Sequence, residues 1–282
     1  MKNLLLFILI FFSFSLSAFP QKEIYKVYAL RFASVSHPVP ISALVDKGPD
    51  KDSVNMDFMI WLIKGDNGKN ILVDAGFLND VEEAKEFDLA NYTRPDSTLA
   101  KLGLKANDIT DIILSHPHWD HSDGISLFPK AHVWIQKEDF NYFVGAAWQK
   151  NGNHGGFNPR DVRMMIDLNM AGKITLVDGD AIEIIPGIKV YTGSRHTFNS
   201  QFAVVETGNK KIVLASDNIW VYYSLEHMMP ASQGGTFDPA AYVKSMQRMK
   251  TLASDPKFII PGHDSKIFSI FPKLAEGVAE IK

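Results

Sequence analysis

The chain has 282 residues, 46% of them hydrophobic and 22% charged, with a formal net charge of −3. This is the composition of a globular protein with a substantial core, and it lacks the excess of Lys and Arg that phosphate backbones require, so nucleic acid is not expected as a partner. The absence of cysteine excludes disulfides, a thiol nucleophile, thiolate metal ligands and a lipidated cysteine, leaving stability to the core and to any bound metal.

Lys2 precedes an apolar run over residues 4–12 that continues to Leu16, with the small residues Ser15, Ser17 and Ala18 close behind. This pattern reads as a secretory signal peptide over residues 1–19. The run is short for a membrane span and broken by serines. The expectation is therefore cleavage, leaving a mature domain over residues 20–282 that is exported, periplasmic or secreted, with no stable membrane anchor.

Residues 24–32 and 56–64 read as strands, and Gly65-Asp66-Asn67-Gly68 as a hairpin turn into a strand over 70–74. A short helix is expected over 97–102. Asp111-Ile112-Ile113-Leu114 reads as a buried strand, and 131–136 alternates like a half-buried one. Between residues 140 and 171 lie Tyr142, Phe143 and Trp148, then Gly152-Asn153-His154-Gly155-Gly156-Phe157. A helix-like run with Met164 and Met165 follows. Aromatics and methionines beside a glycine-rich hinge suit a lid insertion or pocket wall over 140–171, and equally a packed satellite cluster. Strands follow at 173–177, 181–185, 188–191, 201–206 and 211–216. An amphipathic helix over 238–252 opens with Asp238-Pro239. Two β-rich halves with interspersed helices, no repeat and no linker point to an α+β fold.

The richest chemistry sits behind the strand at 111–114, in Ser115-His116-Pro117-His118-Trp119-Asp120-His121. Three imidazoles and a carboxylate are ligands that borderline metals such as zinc prefer. His116 and His118 are two apart and can point the same way, whereas Asp120 and His121 are adjacent and diverge. One loop can thus feed two ions. Further donors follow apolar runs elsewhere: His196 after 188–191, Asp217 after 211–216, and His263 after Phe258-Ile259-Ile260-Pro261-Gly262. Donors at several strand ends, converging on one sheet edge, are a common way to build a site.

The set His116, His118, Asp120, His121, His196, Asp217 and His263, in this order, resembles the metallo-β-lactamase-fold hydrolase superfamily. Ile71-Leu72-Val73-Asp74-Ala75-Gly76 resembles that superfamily's early strand and turn, and the resemblance extends over about residues 24–282. It implies a four-layer αββα sandwich. It also implies two divalent metal ions, zinc first, with iron or manganese as alternatives. His116, His118 and His196 would hold one ion, Asp120, His121 and His263 the other, and Asp217 both. Two ions sharing a carboxylate can share a water and lower its pKa enough to yield hydroxide near neutral pH. Asp120 would then be both ligand and proton relay.

The stretch 193–201 and the chain's proportions are similar to the N-acyl homoserine lactone lactonases, which open the lactone ring of bacterial signal molecules and so quench quorum sensing. That resemblance implies a small-molecule substrate with an apolar acyl chain, held by the 140–171 segment. This family often places a Tyr three positions after the bridging Asp. Trp220 stands there in this chain, with Tyr222 and Tyr223 close behind. Tyr222 is the candidate to contact a substrate carbonyl, with plain packing as its alternative. The competing readings on the same fold are a glyoxalase-like thioesterase, a β-lactamase-like amidase, a phosphodiesterase, and a non-catalytic metal-dependent binding module. The missing Cys ligand argues against a penicillin-cleaving role. His118, where flavodiiron oxidoreductases carry Glu, argues against those.

Overall fold

The computed structural model describes residues 24–282; the expected signal peptide lies outside them. The strands of its two main sheets are β1 (Tyr25–Val35), β2 (Asp57–Gly65), β3 (Asn70–Val73), β4 (Asp111–Ile113), β5 (His132–Gln136), β6 (Ile174–Val177), β7 (Ile182–Ile185), β8 (Ile188–Thr192), β9 (Gln201–Thr207), β10 (Lys210–Ser216), β11 (Ile259–Pro261), β12 (Lys273–Ala275) and β13 (Val278–Ile281). The larger sheet runs β12-β13-β1-β2-β3-β4-β5-β6, with Leu89–Ala90 beside β1; the smaller runs β7-β8-β9-β10-β11. From β3 to β6 the pairing is parallel, as is β10 with β11, and the other pairs of the two sheets are antiparallel.

Period-two alternation places the core. On β2, Met59, Trp61 and Ile63 face the interior between the sheets, where they join Val190, Ala203 and Leu214, which share one face of the smaller sheet. Phe58, Ile60 and Leu62 face the other way, into a second core with Leu30, Leu72, Ile112, Phe143 and Met165. Both faces of the larger sheet are covered, which is why its strands read as near-continuous apolar runs. Helices α1 (Lys137–Val144) and α2 (Pro159–Met170) belong to the second core. Helix α3 (Pro239–Leu252) buries Tyr242, Met246 and Met249 on the smaller sheet's side. The layering is αββα, as the resemblance implied.

Local signals held at α3, where the Asp238 side chain accepts from the backbone N–H groups of Ala240 and Ala241 and Pro239 fills the first turn. Two elements differ from expectation. The helix over 97–102 is instead one turn, Pro95–Thr98, continued as a 3₁₀ turn, Leu99–Leu102. The C-terminal hairpin β12–β13 was not anticipated; β13 pairs with β1 and extends the larger sheet. Among the described residues, no helix is long and apolar enough to cross a membrane.

Candidate metal centre

β3, β4, β8, β10 and β11 end at one edge of the sandwich, and the seven donors follow four of these ends. His116 to His121 lie in the turn and short helix after β4, His196 in the loop after β8, and Asp217 and His263 just beyond β10 and β11. Left-handed backbone at Asp74, Arg195 and Ser216 (φ +61°, +57° and +47°) turns the chain sharply at these ends. Such conformations cost about 1–3 kcal/mol each and persist only where the surroundings enforce them. Gly262 is dictated by space: a Cβ there would stand 2.4 Å from Asp217 Oδ1.

The donors form two groups, His116–His118–His196 and Asp120–His121–Asp217–His263, each with ligand atoms within 4.8 Å of one another. Asp217 faces both. Its Oδ2 lies 3.3 Å from His196 Nε2 and 4.0 Å from His116 Nε2. Its Oδ1 lies 3.0 Å from His263 Nε2 and 3.2 Å from His121 Nε2. Asp120 Oδ2 sits 3.2 Å from His121 Nε2 and 3.5 Å from His263 Nε2. Nevertheless, the Nε2 atoms of His116 and His121 and Asp217 Oδ1 are buried without a hydrogen-bond partner. Lone pairs crowded around a common centre with nothing to satisfy them fit a cation, and nitrogen and oxygen donors fit a borderline divalent one.

Oxygens behind the donors fix their orientation. His121 Nδ1 meets Asp74 Oδ2 at 2.9 Å, His116 Nδ1 meets Ser115 Oγ at 2.8 Å, His196 Nδ1 meets the Gly235 carbonyl at 2.7 Å, and His263 Nδ1 meets the Asp57 carbonyl at 3.1 Å. An acceptor on Nδ1 selects the tautomer that turns Nε2 toward the centre. Asp74 also accepts from Ser115 N and from the hydroxyls of Ser115 and Ser216, tying β3, β4 and β10 together. Trp220 Nε1 donates to Asp217 Oδ2 at 2.8 Å.

Burial and neighbouring charge divide the site. Burial, reinforced by the surrounding imidazoles, holds His116 well below the usual histidine range, and burial with His196 beside it takes His118 down to about 3. Burial also lowers His196, against the pull of Asp217. At His121 burial opposes the cation, but Asp120, Asp217 and Asp74 together outweigh it and raise that group well above the usual range; Asp217 and Asp120 raise His263 in the same way. Burial likewise opposes the Asp217 and Asp120 carboxylates, yet the imidazoles of His121 and His263 hold both below the usual range, Asp217 well below it.

The donors open onto a cavity of about 360 Å³. His118, Asp120, His196, Asp217 and His263 line one side, with Trp220 beside them, and Val39, Ala43, Leu44, Met56 and Phe87 form an apolar wall. Of the 140–171 segment only Gly155 and Gly156 reach it. Trp148 instead donates its indole N–H to the Phe143 carbonyl and stacks on His154, and Met164 lines a separate cavity with Ile125 and Phe128. The apolar wall therefore comes from the chain between β1 and β2 and, at Phe87, between β3 and β4, not from the insertion. Its residues lie in a two-residue strand (Val39–Pro40), a single helical turn (Ile41–Leu44) and the separate positions Met56 and Phe87, with no periodic pattern to mark them.

The structure brings all seven donors together, but not Tyr222. That side chain is buried, its hydroxyl has no partner, and it lines a different cavity with Tyr223, Glu226 and Asp264. The helix turn Tyr222–His227 begins with its backbone N–H fixed on Asp264 Oδ2, which carries the ring away from the donors. Trp220 occupies the cavity instead, its N–H committed to Asp217. Asp74 was visible in the sequence as part of a strand-turn signature, but its role behind His121 depends on tertiary contact.

Fold and site together define a hydrolase built around a His/Asp metal-binding centre in an αββα sandwich. Residues 59–263 match the metallo-beta-lactamase superfamily, and the chain belongs to that superfamily. It is similar to an N-acyl homoserine lactonase of Bacillus cereus, at 26% identity over 78% of this chain and 87% of the relative. It is also similar to an N-acyl homoserine lactonase of Agrobacterium fabrum (strain C58), at 24% identity over 62% of this chain and 65% of the relative. Among solved structures, an N-acyl homoserine lactone hydrolase with the product N-hexanoyl-L-homoserine at its catalytic metal centre superposes with a TM-score of 0.66. The identity is 20%, over 87% of this chain and 96% of that one. The dizinc quorum-quenching lactonase AidC gives a TM-score of 0.64 at 19% identity, over 91% and 94% of the two chains. At these identities the structural likeness speaks to the fold.

Proposed function

We propose that this protein is a di-metal lactonase that opens the ring of N-acyl homoserine lactones. The observation that carries the reading is Asp217, whose two carboxylate oxygens each face a separate donor group on the floor of a cavity with one apolar wall. His116, His118 and His196 would hold one divalent ion, Asp120, His121 and His263 the other, and Asp217 both, zinc being the first expectation. Bound there, such ions supply Lewis-acid polarisation of a carbonyl and water activation near neutral pH.

The chain's own residues do the rest. Trp220 Nε1 holds Asp217 in its shared orientation. Asp74, Ser115 and the Gly235 and Asp57 carbonyls keep the four imidazoles they touch aimed inward. Asp120, kept ionised by His121 and His263, lines the cavity and can take a proton on a carboxylate oxygen. The Val39, Ala43, Leu44, Met56 and Phe87 wall offers an acyl chain an apolar surface and keeps water from it. The lactonase relatives in Bacillus cereus and Agrobacterium fabrum support this choice of substrate.

The test is hydrolysis by purified, zinc-loaded protein of N-hexanoyl and N-decanoyl homoserine lactones, followed by acid release. Nitrocefin, S-lactoylglutathione and a phosphodiester serve as the competing arms. Turnover of the lactones above the other three is expected. Inactivity on both lactones with metal bound would remove the lactonase reading, and the active arm would name its replacement. Inactivity on every arm with ligand-shifted melting would favour a binding module. Export is part of the proposal, and the N-terminal sequence of the mature protein checks it: a start near residue 20 is expected, and a retained residue 1 would refute it.

A further inference from the structure

One histidine of the centre is held differently from the rest. His116, His121, His196 and His263 each have an oxygen on Nδ1 and turn Nε2 inward. His118 is reversed. Its Nδ1 faces the centre, 2.9 Å from His196 Nε2, and among the described residues no protein group hydrogen-bonds its Nε2. A metal-ligating imidazole normally has its second nitrogen fixed by an acceptor. Without one, and with Nδ1 turned to the centre, the far side of the ring is set by packing.

The packing comes from the 140–171 segment. The His118 ring lies against the backbone of Gly156, where a Cβ would stand 2.7 Å from Cδ2, 2.9 Å from Nε2 and 3.0 Å from Cγ. Gly156 has φ +78°, a conformation that side-chain-bearing residues resist. The Phe157 ring packs on His118 at 5.4 Å and is itself anchored edge-on to Phe143 at 4.9 Å. Trp119 N donates to the Gly156 carbonyl at 2.9 Å, fastening the segment to the metal loop. Behind it, Trp148 stacks on His154 and bonds to Phe143, and Phe157 N donates to the His154 carbonyl, so the turn is braced from within.

We propose that Gly156 and Phe157 are positioning residues that clamp the His118 imidazole by packing where the other four imidazoles use a hydrogen bond, and thereby govern retention of the ion held by His116, His118 and His196. This assigns the aromatic, glycine-rich insertion a role at the metal centre rather than at the acyl chain. It rests on the two-ion reading above, and the experiment separates the two.

Full-length zinc-loaded protein is challenged with a chelator, and zinc per chain and its release are followed with a zinc-sensitive dye. Gly156→Ala should weaken one of the two ions by about 10–100-fold, the range found when a group supporting a metal ligand is lost, and leave the other as in wild type. Phe157→Leu should act in the same direction, and it keeps the test open should Gly156→Ala fold poorly. Gly172→Ala is the control, because Gly172 has φ +69° with nothing within 4 Å of its Cβ position. It carries the same backbone strain without touching His118 and should retain both ions. Wild-type retention in both clamp variants, or equal loosening of both ions, would overturn the clamp. Wild-type protein that binds no zinc at all would overturn the two-ion reading first, and the clamp with it.

Discussion

His116, His118 and His196 form a group of three imidazoles kept below their usual range largely by burial. Across the shared Asp217, the other group pairs a second carboxylate, Asp120, with imidazoles raised above theirs. The first group is neutral before any cation arrives, so its donors are ready ligands and owe their geometry to the surrounding packing. In the second, the carboxylates favour the protonated imidazoles of His121 and His263, so protons compete with a cation there. Two sites built on one carboxylate thus answer to different controls: packing for the first, proton competition for the second.

The sharpest way to break this comparison is at the residue both groups share. Asp217→Asn removes the charge facing each of them. It is expected to empty both ion positions and lower kcat/KM on the best substrate by about 10³-fold or more, a loss of at least ~4 kcal/mol in transition-state stabilisation. Metal content measured alongside kinetics checks it, and full retention of both ions would count against the bridging role. A step smaller, His118→Ala and His263→Ala should each cost one ion, and not the same one. Metal stoichiometry distinguishes them, and identical loss patterns would erase the distinction between the groups.

The cavity's walls offer a further contrast. Met56→Ala and Phe87→Ala should cost long-chain lactones about tenfold more in kcat/KM than short-chain ones, in line with ~1–2 kcal/mol of apolar contact. Trp148→Ala should alter both chain lengths equally, because Trp148 lies outside the cavity. Measuring kcat/KM on hexanoyl and decanoyl substrates tells them apart, and chain-length selectivity at Trp148 would return the acyl wall to the insertion.

The remaining prediction is read in stability rather than turnover and concerns the loop that carries His196. Burial raises the Asp139 carboxyl to about 6, although it accepts from Thr197 Oγ1 and Asn199 N. Its folded pKa lies above the unfolded one, so its contribution to stability is present below about pH 4 and is lost as pH rises through about 6, by up to ~3 kcal/mol. Asp139→Asn cannot ionise. Its stability relative to wild type should therefore improve between pH 4 and pH 7 in denaturant titrations. A pH-independent difference would contradict the buried, ionising carboxyl.

Much of the site was legible because its chemistry is local. His116, His118, Asp120 and His121 share one loop, and His196, Asp217 and His263 each follow an apolar run that ends at the same sheet edge. The αββα layering was implied by the family resemblance, and β2, whose two faces enter two cores, gives its physical basis. What escaped depended on distance in sequence. The β13–β1 pairing joins the two ends of the described chain, and the wall at Val39, Met56 and Phe87 comes from isolated residues. Counting from Asp217 reaches Trp220, with Tyr222 close behind as the substitute, but the Tyr222–His227 turn and the Asp264 carboxylate turn that side chain elsewhere. The aromatics of 140–171 were conspicuous, yet composition alone could not say whether they faced a substrate or the back of His118.

Elemental analysis of the protein, purified without chelators and then reconstituted with zinc, tests the central claim most directly. Two divalent ions per chain are expected, with one lost on His118→Ala and both on Asp217→Asn. A wild-type protein that holds no ion in either preparation would contradict the account.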